Sequence, residues 1–340
     1  MCDNLKLKNK FILLLFILMV VTVHREFPDL FFSSNFTGAS VVAPVSEVGD
    51  FQVYFCPRDN CSSHLLETIS LTKDSVYCAF FDLDLENIIS ELSLLSETKD
   101  VKVVIDNNNY DAFPFPFVQD TSSQYSHNKF CIIDKQIVTT GSMNPTVNGD
   151  TKNSNNLVII NSSLLAKNYL LEFDELWNLQ FGKGDQNINS NFIIDNISVE
   201  NYFCPEDWCV NKILEQLHSA KHEVRFMIFS FTSDAVGRKL VELNSHNISV
   251  EGVLESQQNS KYSEYSYLLN NSVDVLWDKE KGKLHHKVFI IDGETVITGS
   301  MNPSKSGDTK NDENMLIIHD KEIASLFLQE YDLIRARAES

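Results

Sequence analysis

Six residues recur at identical spacing in two places. His127, Lys129, Asp134, Gly141, Ser142 and Asn144 form the phrase His-x-Lys-x4-Asp-x6-Gly-Ser-x-Asn. His285, Lys287, Asp292, Gly299, Ser300 and Asn302 repeat it. On a strand, a His and a Lys two apart face the same side. A hairpin turning at Asp134-Lys135, or at Asp292-Gly293, brings the Ser and Asn of the returning strand to the same end. An imidazole, an ammonium, a hydroxyl and an amide then converge, a set suited to phosphate. If two such sets met across a pseudo-two-fold axis, one histidine could attack phosphorus and the other could protonate the departing oxygen. The two lysines and two asparagines would hold the non-bridging oxygens. The lysines supply the positive charge, so no metal and no cofactor is expected. Ser142 and Ser300 are expected to touch the substrate while supporting the turn. Asp134 and Asp292 are expected to be structural, bonding nearby backbone.

The elements that must position these residues are themselves duplicated. Residues 127–160 align with 285–318 without a gap. Upstream, VYFCPRDNC at 53–61 is matched by NYFCPEDWC at 201–209, and VYCAFFDLD at 76–84 by VRFMIFSFT at 224–232. Repeat A spans 51–182, a linker 183–198, and repeat B 199–336. Val- and Ile-rich runs alternate with helix-length amphipathic stretches in both. That pattern predicts an α/β fold in which helices cover a mixed sheet in each repeat. Helices are expected over 61–72, 84–97 and 163–179 in repeat A, and over 210–220, 234–244 and 321–335 in repeat B.

The double signature resembles that of the phospholipase D superfamily, over nearly the whole chain beyond the N-terminus. The resemblance implies two phospholipase D-like repeats related by a pseudo-two-fold axis, sharing one active site, and a covalent phosphohistidine. It makes His127 the nucleophile and His285 the acid, although the sequence alone does not order them. It also draws attention to Glu313, whose counterpart in repeat A is Asn155. In the family, a carboxylate here bonds a catalytic histidine and tunes its basicity. Glu313 is therefore expected to serve the nucleophile, leaving one histidine without a charged partner. His286, on the opposite face of its strand, is expected to be structural.

Composition bounds the substrate only loosely. The net charge of −19 argues against unspecific capture of nucleic acid. Phe113, Phe115 and Phe117 alternate with prolines in a loop expected at the pocket mouth, where an apolar lip would suit lipid. Packing on the core is the alternative. Phospholipid head-group hydrolysis is the leading reading; an exported nuclease and a non-catalytic phosphate-binding scaffold are the others. Both motifs lie in one chain, so a monomer suffices.

Residues 1–25 join Lys6, Lys8 and Lys10 to the apolar run 11–23, the pattern of a signal peptide or signal anchor. The remainder would then be extracytoplasmic, secreted or tethered to the membrane. The cysteines agree. Cys56 with Cys61, and Cys204 with Cys209, form two Cys-x4-Cys phrases, read as a disulfide in each loop. A four-cysteine zinc site and free thiols are the competing readings. Cys78 and Cys131, within apolar strands, are expected to be plain core residues.

Overall fold

The structure, a computed structural model, describes residues 44–107 and 112–340. The basic-apolar segment 1–25 lies outside them. No helix among the described residues is long and apolar enough to cross a membrane.

After a short strand β1 (Val45–Glu47), the first half runs β2 (Asp50–Cys56), α1 (Cys61–Ser70), β3 (Ser75–Phe80), α2 (Glu86–Ser96), β4 (Asp100–Asp106) and β5 (Phe117–Asp120). It continues with β6 (Lys129–Ile133), β7 (Ile137–Gly141), α3 (Val147–Thr151), β8 (Asn155–Asn161) and α4 (Ser163–Trp177). Strand β9 (Asn191–Ile194) follows, inside the stretch expected to be a linker. The second half opens with β10 (Ile197–Cys204), α5 (Cys209–Ser219), β11 (Glu223–Ile228), α6 (Asp234–Ser245) and β12 (Ser249–Leu254). It ends with α7 (Tyr265–Asn270), β13 (Asp274–Trp277), β14 (Lys287–Ile291), β15 (Thr295–Gly299), α8 (Lys305–Thr309), β16 (Glu313–His319) and α9 (Lys321–Glu339).

The two sheets share one plan. The first has strand order β2-β8-β7-β6-β3-β4-β5, and the second β10-β16-β15-β14-β11-β12-β13, extended at β10 by β9 and β1. In the seven strands common to both, the last three run parallel and the rest antiparallel, while the added β1 pairs parallel with β9. Composition explains the layering. Strand β3 reads Ser-Val-Tyr-Cys-Ala-Phe and is buried throughout, so both faces of its sheet are covered. Helix α5 buries Val210, Ile213 and Leu217, one face at helical spacing. A central core joins residues of both sheets to α4 and α9, including Phe130, Tyr169, Phe203 and Phe327. Separate cores lie under α1 and α2 and under α5, α6 and α7.

Two expectations are corrected. Cys78 and Cys131 are buried in the core but are joined as a disulfide, because β3 pairs antiparallel with β6 and sets the two residues opposite each other. Phe113, Phe115 and Phe117 are not among the residues lining the pocket. Phe115 is buried among core side chains, Phe113 stacks on it at 5.3 Å, and Phe117 begins edge strand β5. Disulfides Cys56–Cys61 and Cys204–Cys209 close the two matching loops. Among the described residues no group of His, Cys, Asp or Glu is placed to hold a metal ion.

Candidate active site

The hairpins form as the sequence requires. Asp134 and Lys135, with φ of 52° and 54°, turn β6 into β7; Asp292 and Gly293, at 54° and 63°, turn β14 into β15. Asp134 then accepts the backbone N–H groups of Lys73, Asp74 and Ser75, and Asp292 those of Lys221, His222 and Glu223. These bonds hold both carboxyls below their usual range although partial burial opposes them. Both aspartates fasten the turn to the loop before the neighbouring strand. Gly141 and Gly299 end the returning strands at φ of +133°. A Cβ on either would press within 2.3–2.4 Å of the backbone oxygen of Asn156 or Asn314, so only glycine fits.

Each histidine is fixed by the other half. The His127 N–H donates to Asp312 O at 2.9 Å, and the His285 N–H to Ser154 O at 2.8 Å. The side chains follow suit. His127 Nδ1 lies 2.7 Å from Glu313 Oε2, while His285 Nδ1 lies 2.9 Å from Asn155 Oδ1 and 3.0 Å from Ser142 O. The remaining ring nitrogen, Nε2, is left for chemistry. Phe81 and Phe229 press edge-on against the two imidazoles at 4.9 and 4.8 Å. Their rings also lie 5.0 and 4.9 Å from the ammonium groups of Lys129 and Lys287. Each lysine donates to the backbone oxygen of its own histidine.

His127, His285, Asn144 and Asn302 line one cavity of about 850 Å³. Asn302 Oδ1 accepts from the Ser230 N–H at 3.2 Å, whereas Asn144 Oδ1 is buried with no hydrogen-bond partner. Ser142 and Ser300 are fully buried and face inward. Ser142 Oγ donates to Asn156 Oδ1 at 2.9 Å; Ser300 Oγ donates to Glu313 Oε2 at 2.7 Å. Their hydroxyls are engaged by the protein and do not line the cavity, contrary to the expected contact with substrate.

Burial dominates the electrostatics. It holds both histidines well below their ordinary range, with Lys129 and Lys287 adding to the effect. It brings Lys129 down to about 7 against the pull of Glu313, Asp106 and Asp82. Lys287 is held well below its ordinary range, by burial and then by Lys129. Glu313 is pushed up to about 8 by burial, with Lys129 and Ser300 opposing. Four basic groups are thus buried together beside one cavity, a setting that suits an anion. Bound negative charge restores their protonated forms.

The signature phrase does not reveal the seam that joins the halves. Thr140 Oγ1 donates to Asn314 Oδ1 at 2.6 Å, Asn156 Nδ2 to Thr298 Oγ1 at 2.8 Å, and Asn314 Nδ2 to Asn128 Oδ1 at 2.8 Å. His286 is fully buried there, 3.3 Å from Asn156 Oδ1, as a structural residue. Asp150 and Asp308 were likewise missed. They accept the N–H groups of Ser62 and Val210, fixing the short helices after Asn144 and Asn302. The repeated Gly-Asp-Thr was their only trace in the sequence.

Comparison with known proteins bears on the family and the fold. The family described as "Cardiolipin synthase, PLD-like domain" matches residues 65–177 and 213–334. Phospholipase D of Rickettsia bellii is 30% identical over 140 residues, 41% of this chain and 70% of its own length. Human mitochondrial cardiolipin hydrolase is 30% identical over 37% of this chain and 50% of its own. Among solved structures, phosphatidylserine synthase of Haemophilus influenzae aligns over 84% of this chain and 86% of its own with a TM-score of 0.63 at 14% identity, a likeness of fold. With the family match covering both halves, the chain belongs to the phospholipase D superfamily.

Proposed function

We propose that this phosphodiesterase hydrolyses phospholipid head-group esters through a phosphohistidine on His127. The observation that carries the reading is the unequal company of two histidines facing one cavity. Glu313 at His127 Nδ1 can accept that N–H and leave Nε2 with its lone pair, as a nucleophile needs. Asn155 and the Ser142 carbonyl accept the corresponding proton of His285 without adding charge, leaving its Nε2 free to give and take a proton.

In the first step His127 Nε2 bonds to phosphorus and the bond to the head-group oxygen breaks. That oxygen takes a proton from His285. In the second step His285 removes a proton from water, whose oxygen bonds to phosphorus, and the bond to His127 breaks. Lys129, Lys287, Asn144 and Asn302 hold the non-bridging oxygens, whose charge grows in both transition states. Lipid as the substrate is supported by the names of the matching relatives and by the acidic chain, and no longer by the aromatic loop. The three disulfides fit an oxidising, extracytoplasmic compartment.

The test is incubation with phosphatidylcholine or cardiolipin vesicles and with single-stranded DNA, beside His127→Ala. The expected result is head-group release by the native protein and none by the variant. Release of nucleotides without head group would assign the site to nucleic acid, and no release at all would leave a phosphate-binding scaffold.

A further inference from the structure

The cavity between the two histidines is electrically lopsided. Phe81 and Phe229 occupy matching positions, but the residues that follow them diverge. Asp82 and Asp84 line the cavity in repeat A, where repeat B offers Ser230 and Thr232. Two residues before each histidine the contrast reverses, with Tyr125 in repeat A and Lys283 in repeat B. Lys281 stands where repeat A has Ser123. Lys152 joins them from the other half. The Ser154 N–H donates to Lys283 O at 2.8 Å, and the Lys283 N–H donates to Asn153 Oδ1 at 3.0 Å. This binds the stretch 152–154 to 282–284.

Three exposed lysines therefore border the His285 side and two aspartates the His127 side. The same contrast reaches the buried lysines. Asp82 helps to keep Lys129 protonated, while Lys283 depresses Lys287 further. Here 47 acidic residues face 28 basic ones, yet among the described residues Lys152, Lys281 and Lys283 form no ion pair. What sets these three apart is that they gather at the rim of one cavity, where their summed field favours an anion.

In-line displacement sets the direction. With His127 attacking, the departing oxygen faces His285, so the alcohol it belongs to lies among the lysines. We propose that the released head group carries a further phosphate, held by Lys152, Lys281 and Lys283, while Asp82 and Asp84 keep a second anion off the His127 side. This rests on the phosphohistidine reading above. A polyanionic strand crossing the cleft would set one of its phosphates against the two aspartates, which disfavours nucleic acid.

The experiment compares three vesicle preparations, of phosphatidylinositol phosphate, phosphatidylglycerol and phosphatidylcholine. Their head groups carry an added phosphate, no charge and a cation. Head-group release is expected to fall in that order. In the double variant Lys281→Gln/Lys283→Gln, the ratio of the first rate to the second should fall by about tenfold or more, the worth of one charge-assisted hydrogen bond. Taking the ratio within one variant removes any loss of folded protein. Hydrolysis that favours phosphatidylcholine, or a ratio unmoved by the double variant, overturns this inference and leaves the phosphodiesterase reading standing. Failure of the native protein on all three lipids overturns both.

Discussion

His127 and His285 share a backbone frame and differ in their neighbours. Each stands two residues before a strand, each donates its backbone N–H to the opposite half, and each is pressed by a phenylalanine. Yet one meets a carboxylate and the other an amide. Behind the sheets the halves differ again. On the repeat-B side, buried Glu330 lies 2.7 Å from Arg58 and 3.7 Å from His286. On the repeat-A side, the corresponding Glu172 has Asn128 at 3.4 Å and Glu206 in the place of Arg58. The duplicated frame is shared, and a few charges within it differ. The difference teaches that the symmetry of this fold is one of backbone and glycine, and that its chemistry lies in the exceptions.

The largest expected effect comes from removing each histidine in turn. With bis(p-nitrophenyl) phosphate, whose leaving group needs no proton, His285→Ala should still release a first burst of nitrophenol. It should lose steady turnover by about a hundred- to ten-thousandfold, because water is no longer activated. His127→Ala should lose the burst as well. A burst that survives in His127→Ala and vanishes in His285→Ala would exchange the two roles.

The orienting groups come next. Glu313→Gln should slow phosphohistidine formation by at least about tenfold, the size of effect found for groups that orient a functional histidine. A rate within about twofold of native would remove Glu313 from the mechanism. Asn155→Asp sharpens the same contrast by giving His285 a charge. Its ionisation should rise by about one pH unit, because an adjacent carboxylate favours imidazolium. The basic limb of the rate profile should move up with it. A limb that stays in place would mean that some other group sets it.

How legible this was follows from distance along the chain. The signature, its hairpins and the Glu313–Asn155 contrast are written in short repeated phrases, and the structure builds both hairpins where Asp134 and Asp292 stand. The partners of those residues are not written so closely. Cys78 and Cys131 are 53 residues apart, and only the pairing of β3 with β6 makes them neighbours. Ser142 and Ser300 carry hydroxyls suited to phosphate, but what a hydroxyl faces depends on the strand beside it, and here Asn156 and Glu313 claim it. The Phe-Pro loop is open to two readings for the same reason. Its apolar side chains fit a lip or a core equally well, and edge pairing of β5 with β4 drew them into the core.

The smallest expected effect tests the back of the molecule. Burial, with Glu175 and Asp207 adding to it, pushes Glu206 up to about 7. Burial and then Asp312 and Glu206 push Glu172 well above its usual range. Opposite, burial pulls Glu330 up as well, but His286 and Arg58 outweigh it and hold Glu330 low. A carboxyl raised by folding binds more protons in the folded chain than in the unfolded one. Stability should therefore fall as pH rises from the ordinary 4.5 of a glutamate towards about 7. Glu206 is partly exposed, so solvent screening leaves about 1 kcal/mol of this change. Glu206→Arg copies the cation of the other half and should flatten the loss. Urea unfolding with the disulfides intact, at about pH 5 and about pH 8, measures it. The variant should match native protein at the lower pH and exceed it at the higher. Equal shifts at both would show that the two faces differ in packing and not in charge.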